Sequence, residues 1–522
     1  MRLQNTTWVP RLGPSALIQL NSPVLSLQLA ISLSLVLLSL AWALRKKCFP
    51  RHTLLPGIHI VGGSSRREIL ESREKFRVAS RGMVVSGYER SGGEEFYYVP
   101  SRAGERLVIP TRFIEELKSA AMDKVDFVGI VRDVMEGDYT GVGDRSRLHP
   151  DTLKHGLTPR VASVMHAVQG EVDIAFRRAL PPCDDWVEVQ LLPVLADIVA
   201  RVTSRMMGGV ELSRNQSWIE TAINFTHCAL NGSQKVKSLP WLIRPILAPW
   251  IREIRKDIPN CRRLTEEAIK PMLARRRRDN EWPNDFLTLL ENGAKNQANR
   301  DDLLAKSILL TAFASVHTST DAIMQFVMDL CEHPEYVEIL RHEYSSLMDE
   351  DGVFNPSAYS RLTKMDSCMK ESQRFWPPTL LTFERIVKEK RTLSNGLTVP
   401  AGHRIAVSNY AVNMDPNIYP NPETFDGLRF EKIREENPEL AGKTQFVSCN
   451  RTSLSFGYGR HACPGRAFFV EEFKAIMVYL LEHYDIKFPP GKSRPPTLEF
   501  ETHYIANPAS AVMFKRRITV RP

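Results

Sequence analysis

Phe456-Gly457-Tyr458-Gly459-Arg460-His461-Ala462-Cys463-Pro464-Gly465 runs directly into a helical pattern from Arg466 through Tyr484. Gly457, Gly459 and Gly465 permit a tight loop, because a residue without Cβ accepts positive φ and lets another group approach its backbone. Cys463 stands just ahead of a helix N-terminus, where free N–H groups and the macrodipole favour a negative sulfur and lower the thiol pKa. Pro464, at the start of that helix, gives up no needed N–H. Such a loop presents a cysteine ligand to something flat. Two plainer readings compete with it: a structural cysteine in a Gly-rich turn, and zinc held by His461, Cys463 and Cys449. Zinc needs a fourth ligand at suitable spacing, and none is visible.

Upstream lie the companions. Residues 301–330 form a long helical pattern, about 45 Å at 1.5 Å per residue and apolar nearly all round, as a central buried helix must be. Its middle reads Ala314-Ser315-Val316-His317-Thr318-Ser319, which by itself is a Thr/His pair satisfied within a core. Glu371-Ser372-Gln373-Arg374 places an acid and a base on one helical face, ahead of Trp376-Pro377-Pro378, which stops the helix. Alone, such a pair is surface decoration worth a few tenths of a kcal/mol.

Together these stretches carry a resemblance: the loop is similar to the F-x-x-G-x-[HR]-x-C-x-G cysteine loop of the cytochromes P450. The resemblance implies haem b with Cys463 as the axial iron ligand, and Phe456, Gly457, Gly459, His461 and Gly465 around the cofactor. His461 would face a haem propionate, and Arg385 stands where the family places a propionate arginine. Glu371 and Arg374 match the family's E-x-x-R pair, a structural lock behind the haem. Phe425-Asp426-Gly427-Leu428-Arg429-Phe430 resembles the segment that adds its third member, Arg429. The 314–319 stretch resembles the oxygen-activation motif [AG]-G-x-[DE]-T-[TS], with Ser315 in place of Gly and His317 in place of the acid. It makes Thr318 and His317 the residues expected to deliver protons. Ala314 and the run Leu380, Leu381, Thr382 and Phe383 are expected to line the substrate cavity. The family's W-x-x-x-R helix, which holds a propionate, has no clear counterpart near residues 155–160.

The rest of the 522 residues fits a mainly α protein with small β-sheets, the P450 fold, as one large haem domain behind an N-terminal transmembrane helix. Hydrophobic residues make up 43% and charged ones 25%, ordinary for a globular chain. After residue 50 there is no linker, repeat or low-complexity run, so residues 64–522 read as one domain. Strands are expected at 96–99 and 106–109, and a hairpin at 392–399 turns on Asn395-Gly396. Residues 24–44 are apolar over about 30 Å and are followed by Arg45-Lys46-Lys47, which reads as a membrane anchor. A signal peptide is the competitor, but the run is long and lacks a small-x-small cleavage site. Residues 1–23 then form a short lumenal tail, with a glycosylation triplet at Asn5, and 45–63 a basic, Pro/Gly-rich hinge. The positive-inside rule puts the catalytic domain in the cytoplasm, on a single-pass anchor in the endoplasmic reticulum membrane. The formal charge of +9 suits an acidic partner or an anionic membrane. It does not point to nucleic acid, since the positive residues are dispersed and no nucleic-acid-binding motif accompanies them. The run Arg275 to Arg278 reads as a solvated loop or helix end. The eight cysteines show no disulfide spacing and are expected to be reduced. Residues 239–250, with three prolines and two tryptophans, fit a membrane interface and a buried helix corner equally.

Several less general strings, Lys370-Glu371-Ser372-Gln373-Arg374-Phe375, Leu380-Leu381-Thr382-Phe383 and the His317-Thr318-Ser319 variant, resemble fungal terpenoid oxidases related to ent-kaurene oxidase. The resemblance implies a monooxygenase of fungal secondary metabolism that inserts one atom of O2 into a C–H bond of a large apolar terpenoid: a diterpene, indole diterpene or meroterpenoid. Electrons would come from NADPH–cytochrome P450 reductase. Other readings stay open: a fatty-acid or sterol monooxygenase, a haem-thiolate isomerase or dehydratase needing no reductase, a non-catalytic haem sensor, and a membrane scaffold without haem. Substrate-dependent NADPH consumption separates a monooxygenase from the last three.

Overall fold

In the computed structural model, residues 54–518 are described except 241 and 351–353, together with residues 31, 32 and 34. Those last three are helical; the remainder of the expected anchor at 24–44, the tail at 1–23 and residues 45–53 of the hinge lie outside the described residues. Among the described residues no helix is long and apolar enough to cross a membrane. From Pro56 onward the chain forms one compact unit.

Seven helices position the site: α1 (Val161–Ala179), α2 (Leu191–Ser213), α3 (Gln216–Ser238), α4 (Ile258–Asp279), α5 (Arg300–Glu332), α6 (Thr363–Phe375) and α7 (Arg466–His483). The central one is α5. Asp301 and Asp302 in its first turn complement the helix dipole, and α2, α3, α4 and α6 pack around it. Between Ser307 and Leu330 only Ala314 and Thr318 are exposed. Two open residues at the middle of a buried helix mark a void beside it.

The four-arginine run ends α4, but it is not simply solvated. Arg276 is buried and bonded to Asp285 at 2.5 and 3.0 Å, and Arg277 pairs with Glu291 at 2.9 Å and Asp301 at 2.7 Å. The run ties α4 to the next helix, Phe286–Gly293, and to the start of α5.

The six-stranded sheet comprises β1 (His59–Ile60), β2 (Tyr97–Val99), β3 (Arg106–Val108), β4 (Val125–Asp126), β5 (Leu381–Val387) and β6 (Arg404–Ser408), in the order β1-β2-β3-β6-β5-β4. β1–β2 and β3–β6 are parallel, the other pairs antiparallel. A smaller antiparallel sheet joins 484–487, 511–516 and 187–190. The hairpin expected at 392–399 forms with Gly396 at φ +84°, and two helices, Arg66–Phe76 and Ser80–Arg90, precede β2. At 239–250 the buried-corner alternative does not hold. Leu242, Ile246 and Trp250 are 59%, 67% and 66% exposed, with Ile243 and Leu247 also open, so this segment leaves an apolar patch in solvent.

Candidate active site

The cysteine loop is built as its glycines suggest at two positions of three. Gly457 and Gly459 have φ of +70° and +74°. At Gly459 a Cβ would lie 2.5 Å from both the Cβ and the carbonyl oxygen of Lys118, so only glycine fits there. Gly465 has an ordinary φ of −91°; a Cβ there would meet nothing within 4 Å. The loop closes through the Cys463 N–H, which donates to the Phe456 carbonyl at 2.8 Å. Burial pushes the Cys463 thiol up, while the N–H groups of Gly465 and Arg466 and the Arg466 charge pull it down. For the free thiol, desolvation therefore outweighs the helix terminus on which the expected lowering rested. A coordinated metal removes the proton outright.

Cys463 opens onto a cavity of about 640 Å³. It is the one cysteine on the wall among the described residues, and the wall carries Phe456, Gly457, His461, Gly465, Arg385 and Thr318 as well. Gly459 stands behind the wall, against Lys118. Phe456 packs edge-on to Phe446 and Phe469.

Whether a haem fits can be tested on the cations. Arg385 is 4% exposed, and burial brings its pKa down to about 10. It donates only to the Glu384 carbonyl at 2.8 Å, with Phe383 and Phe127 rings 4.4 and 4.8 Å from its guanidinium. His461 stacks on Phe127 and has a buried Nε2 with no partner. Burial first, then the charges of Arg385, Arg460 and Arg147, hold its imidazole down to about 4. A buried guanidinium to which no carboxylate is bonded among the described residues, beside an orphaned imidazole nitrogen, is a place for an anion. The propionates of a haem fit it. Where the W-x-x-x-R contact was missing from the sequence, Arg145, Arg147, His149 and Lys154 line the cavity. His149 Nδ1 is also buried without a partner, and a π-helical turn over Thr152–Leu157 shifts the register that the motif would have followed.

Behind the cavity Glu371 is fully buried. It accepts from Arg374 at 2.8 and 2.9 Å and from Arg429 at 3.1 and 3.2 Å; the pair is core, not surface. Arg374 also donates to the Asn413 carbonyl at 2.8 Å, and Arg429 to the Pro420 carbonyl at 2.6 Å.

On the α5 side Ala314 and Thr318 both line the cavity. Thr318 Oγ1 donates to its own helix, to the Ala314 carbonyl at 2.7 Å. His317 does not reach the wall. Its Nε2–H donates to the Ile223 carbonyl of α3 at 2.8 Å, with the His227 ring edge-on at 4.7 Å, and burial lowers its pKa. The histidine fills the groove between two helices, against its expected part in proton delivery. Of the four residues expected to line the cavity from β5, Thr382 and Phe383 do so. Leu380 and Leu381 point into a separate core with Phe76, Tyr97 and Tyr504. The cause is a bulge: the β5–β6 register shifts between Thr382 and Arg385, with Phe383 at φ +53°, which re-aims the strand.

Four carboxyls on the wall were missed from the sequence, Asp144, Asp151, Asp321 and Glu472, and two of them pair with no base among the described residues. Glu472 of α7 accepts from the Thr203 hydroxyl at 2.6 Å, and burial pushes it up to about 8. Asp321 of α5 accepts the Ala506 N–H at 2.7 Å, and burial pushes it up to about 7.

Residues 143–516 match the family model for cytochrome P450. The chain is a cytochrome P450. A P450 monooxygenase of Emericella nidulans is 33% identical over 461 residues, covering 86% of this chain and 85% of its own. An ent-kaurene oxidase of Gibberella intermedia is 30% identical over 88% of this chain and 90% of its own. A P450 monooxygenase of Annulohypoxylon truncatum is 31% identical over 83% and 88%. As a P450 monooxygenase the protein is an oxidoreductase that binds haem b through an axial cysteine thiolate and uses O2, a redox partner and a small-molecule substrate.

Proposed function

We propose that this P450 hydroxylates, or oxidises in successive steps, a large apolar terpenoid of fungal secondary metabolism. The observation that carries the reading is the cavity itself. Met206, Leu310, Phe313 and Phe383 give it an apolar wall of the kind that selects by shape. An ent-kaurene oxidase matched over 88% of this chain supports a diterpene-sized substrate.

In this reading Cys463 is the iron ligand, steadied by the N–H groups of Gly465 and Arg466, and Arg385 and His461 hold the propionates. The haem, when bound, supplies the activation of dioxygen that side chains lack. Phe383 and Phe127 keep water from Arg385, and Thr318 offers a hydroxyl that accepts and passes on a proton. Glu371, Arg374 and Arg429 act on structure alone. The apolar patch at 242–250 and the run 24–44 support attachment to the endoplasmic reticulum membrane with this domain in the cytoplasm, where NADPH–cytochrome P450 reductase supplies electrons.

The test is expression in microsomes with that reductase, feeding of diterpenes, indole diterpenes and meroterpenoids, and product detection by mass with NADPH consumption measured alongside. Oxygenated product that requires both NADPH and the terpene is expected. Turnover of fatty acids or sterols alone overturns the substrate class, and turnover without NADPH overturns the monooxygenase chemistry.

A further inference from the structure

We propose that Asp321 is the proton-holding acid of the distal cavity, standing in for position 317 and serving Thr318 through water. The inference rests on the monooxygenase reading above and concerns one residue of its site.

Four carboxyls line the cavity among the described residues: Asp144, Asp151, Asp321 and Glu472. Asp144 is paired with Lys306. Asp151 takes both nitrogens of Arg147, at 2.8 and 3.0 Å. Glu472 is engaged by Thr203 at 2.6 Å and by Ser319. Only Asp321 keeps an oxygen free. Its Oδ1 is fixed by the Ala506 N–H at 2.7 Å, which leaves Oδ2 without a protein partner. Among the described residues no charged side chain acts on it beside the Ala506 N–H, and Gln325, one turn further along α5 on the same wall, is uncharged. A carboxyl enclosed without a cation keeps its proton near neutral pH, and burial does push Asp321 up to about 7. It stands three residues after Thr318 on the same helix, one turn along and on the same side. His317 has its N–H committed to Ile223 and stays off the wall, so the expected donor is absent from the place where a proton is needed.

The step is a proton transfer and nothing more. The Asp321 carboxyl gives its proton to water; that water protonates Thr318 Oγ1, which releases its own proton into the cavity. The carboxylate then regains its proton from bulk solvent through water, so each cycle brings one proton from outside into the cavity. Only O–H bonds form and break, and no oxidant or reductant is consumed by the relay. A pKa near working pH is what a relay needs, since the group must both give and retake the proton.

The experiment uses the full-length haem-loaded protein with its reductase and compares wild type with Asp321→Asn, Asp321→Glu, Thr318→Ala and Glu472→Gln. Infrared difference spectra from pH 5 to 9 should show a carboxylic acid band that titrates in wild type and is missing from Asp321→Asn. With a turned-over terpene, Asp321→Asn should raise the ratio of peroxide released to product formed on the order of tenfold, a modest share of what proton transfer contributes. Asp321→Glu should restore much of it, and the Asp321→Asn, Thr318→Ala double variant should be no worse than the poorer single, as expected for one chain of transfer. The proposal is overturned if the Asn variant keeps the wild-type ratio, or if Glu472→Gln alone raises it. A carboxylate already ionised at pH 6 also overturns it. Absence of any NADPH-dependent product from wild type instead overturns the terpenoid reading, while the infrared arm still decides this one.

Discussion

Gly459→Ala tests whether the cysteine loop is held by its backbone rather than by its cofactor. Alanine at φ +74° costs about 1–2 kcal/mol for the left-handed conformation. Its Cβ would fall 2.5 Å from the Lys118 carbonyl oxygen and 2.5 Å from the Lys118 Cβ, where a backbone atom cannot rotate out of the way. Overpacking of this kind costs about 1–3 kcal/mol. The same carbonyl accepts the Arg460 N–H at 3.0 Å, a bond worth about 1 kcal/mol that is lost if the two segments part. The expected sum is about 3–6 kcal/mol. Gly465→Ala is the control: with φ −91° and nothing within 4 Å of the new Cβ, it should change the haem-free protein by less than about 0.5 kcal/mol. Because Gly465 lines the cavity, it should instead lower haem content. Urea unfolding of haem-free and haem-loaded protein, followed by tryptophan fluorescence and haem absorbance, separates the two effects. A Gly459→Ala loss under about 1 kcal/mol, or an equal loss in both variants without haem, refutes the reasoning.

Cys463→Ala should abolish the red-shifted Soret band of the reduced carbon monoxide complex, since no second cysteine lines the cavity among the described residues; a retained band would falsify the ligand assignment. Removing residues 1–44 should release only part of the protein from microsomes in a sedimentation assay. Adding Leu242, Ile246 and Trp250→Ser, all exposed, should release the rest; full release by truncation alone argues that the patch touches no membrane. Glu472→Gln should flatten the dependence of stability on pH. The folded carboxyl holds its proton up to about 8 while the unfolded one releases it near 4.5, so wild type loses stability as pH rises between those values, at most about 5 kcal/mol. The gap between variant and wild type in denaturant midpoints at pH 6 and pH 8 should widen with pH; a constant gap rejects a neutral Glu472.

What was legible in the sequence is what is set locally. Cys463, the two left-handed glycines and the helix after them lie within thirty residues and need no distant partner to be read. The Glu371 and Arg374 pair was legible as a helical face, but not its burial, which depends on Arg429 arriving from 58 residues away. The β5 strand shows where such reading stops. Alternation alone assigns sides to Leu380, Leu381, Thr382 and Phe383, and the bulge before Arg385 carries no letter in the sequence. Arg276 is a similar case. In a run of four arginines nothing marks the one that meets Asp285 in the core, since the acid lies beyond the helix end.

Position 317 shows how a motif can be read correctly as letters and still mislead about geometry. A residue adjacent to Thr318 stands about 100° round the helix from it. A side chain there cannot share the Thr318 face unless the helix opens, and with α3 packed alongside, His317 heads for Ile223 instead. Asp321, three residues on, falls within about 60° of Thr318, with Ala314 and Gln325 on the same side and on the same wall. The 3.6-residue period was available in the sequence; applied to acids after the threonine as well as before it, it points to Asp321. Writing an acid back at 317 would therefore not restore a proton donor to the cavity. It would set a carboxylate oxygen against the Ile223 carbonyl, two acceptors where a donor now stands, and lose a hydrogen bond worth about 1 kcal/mol.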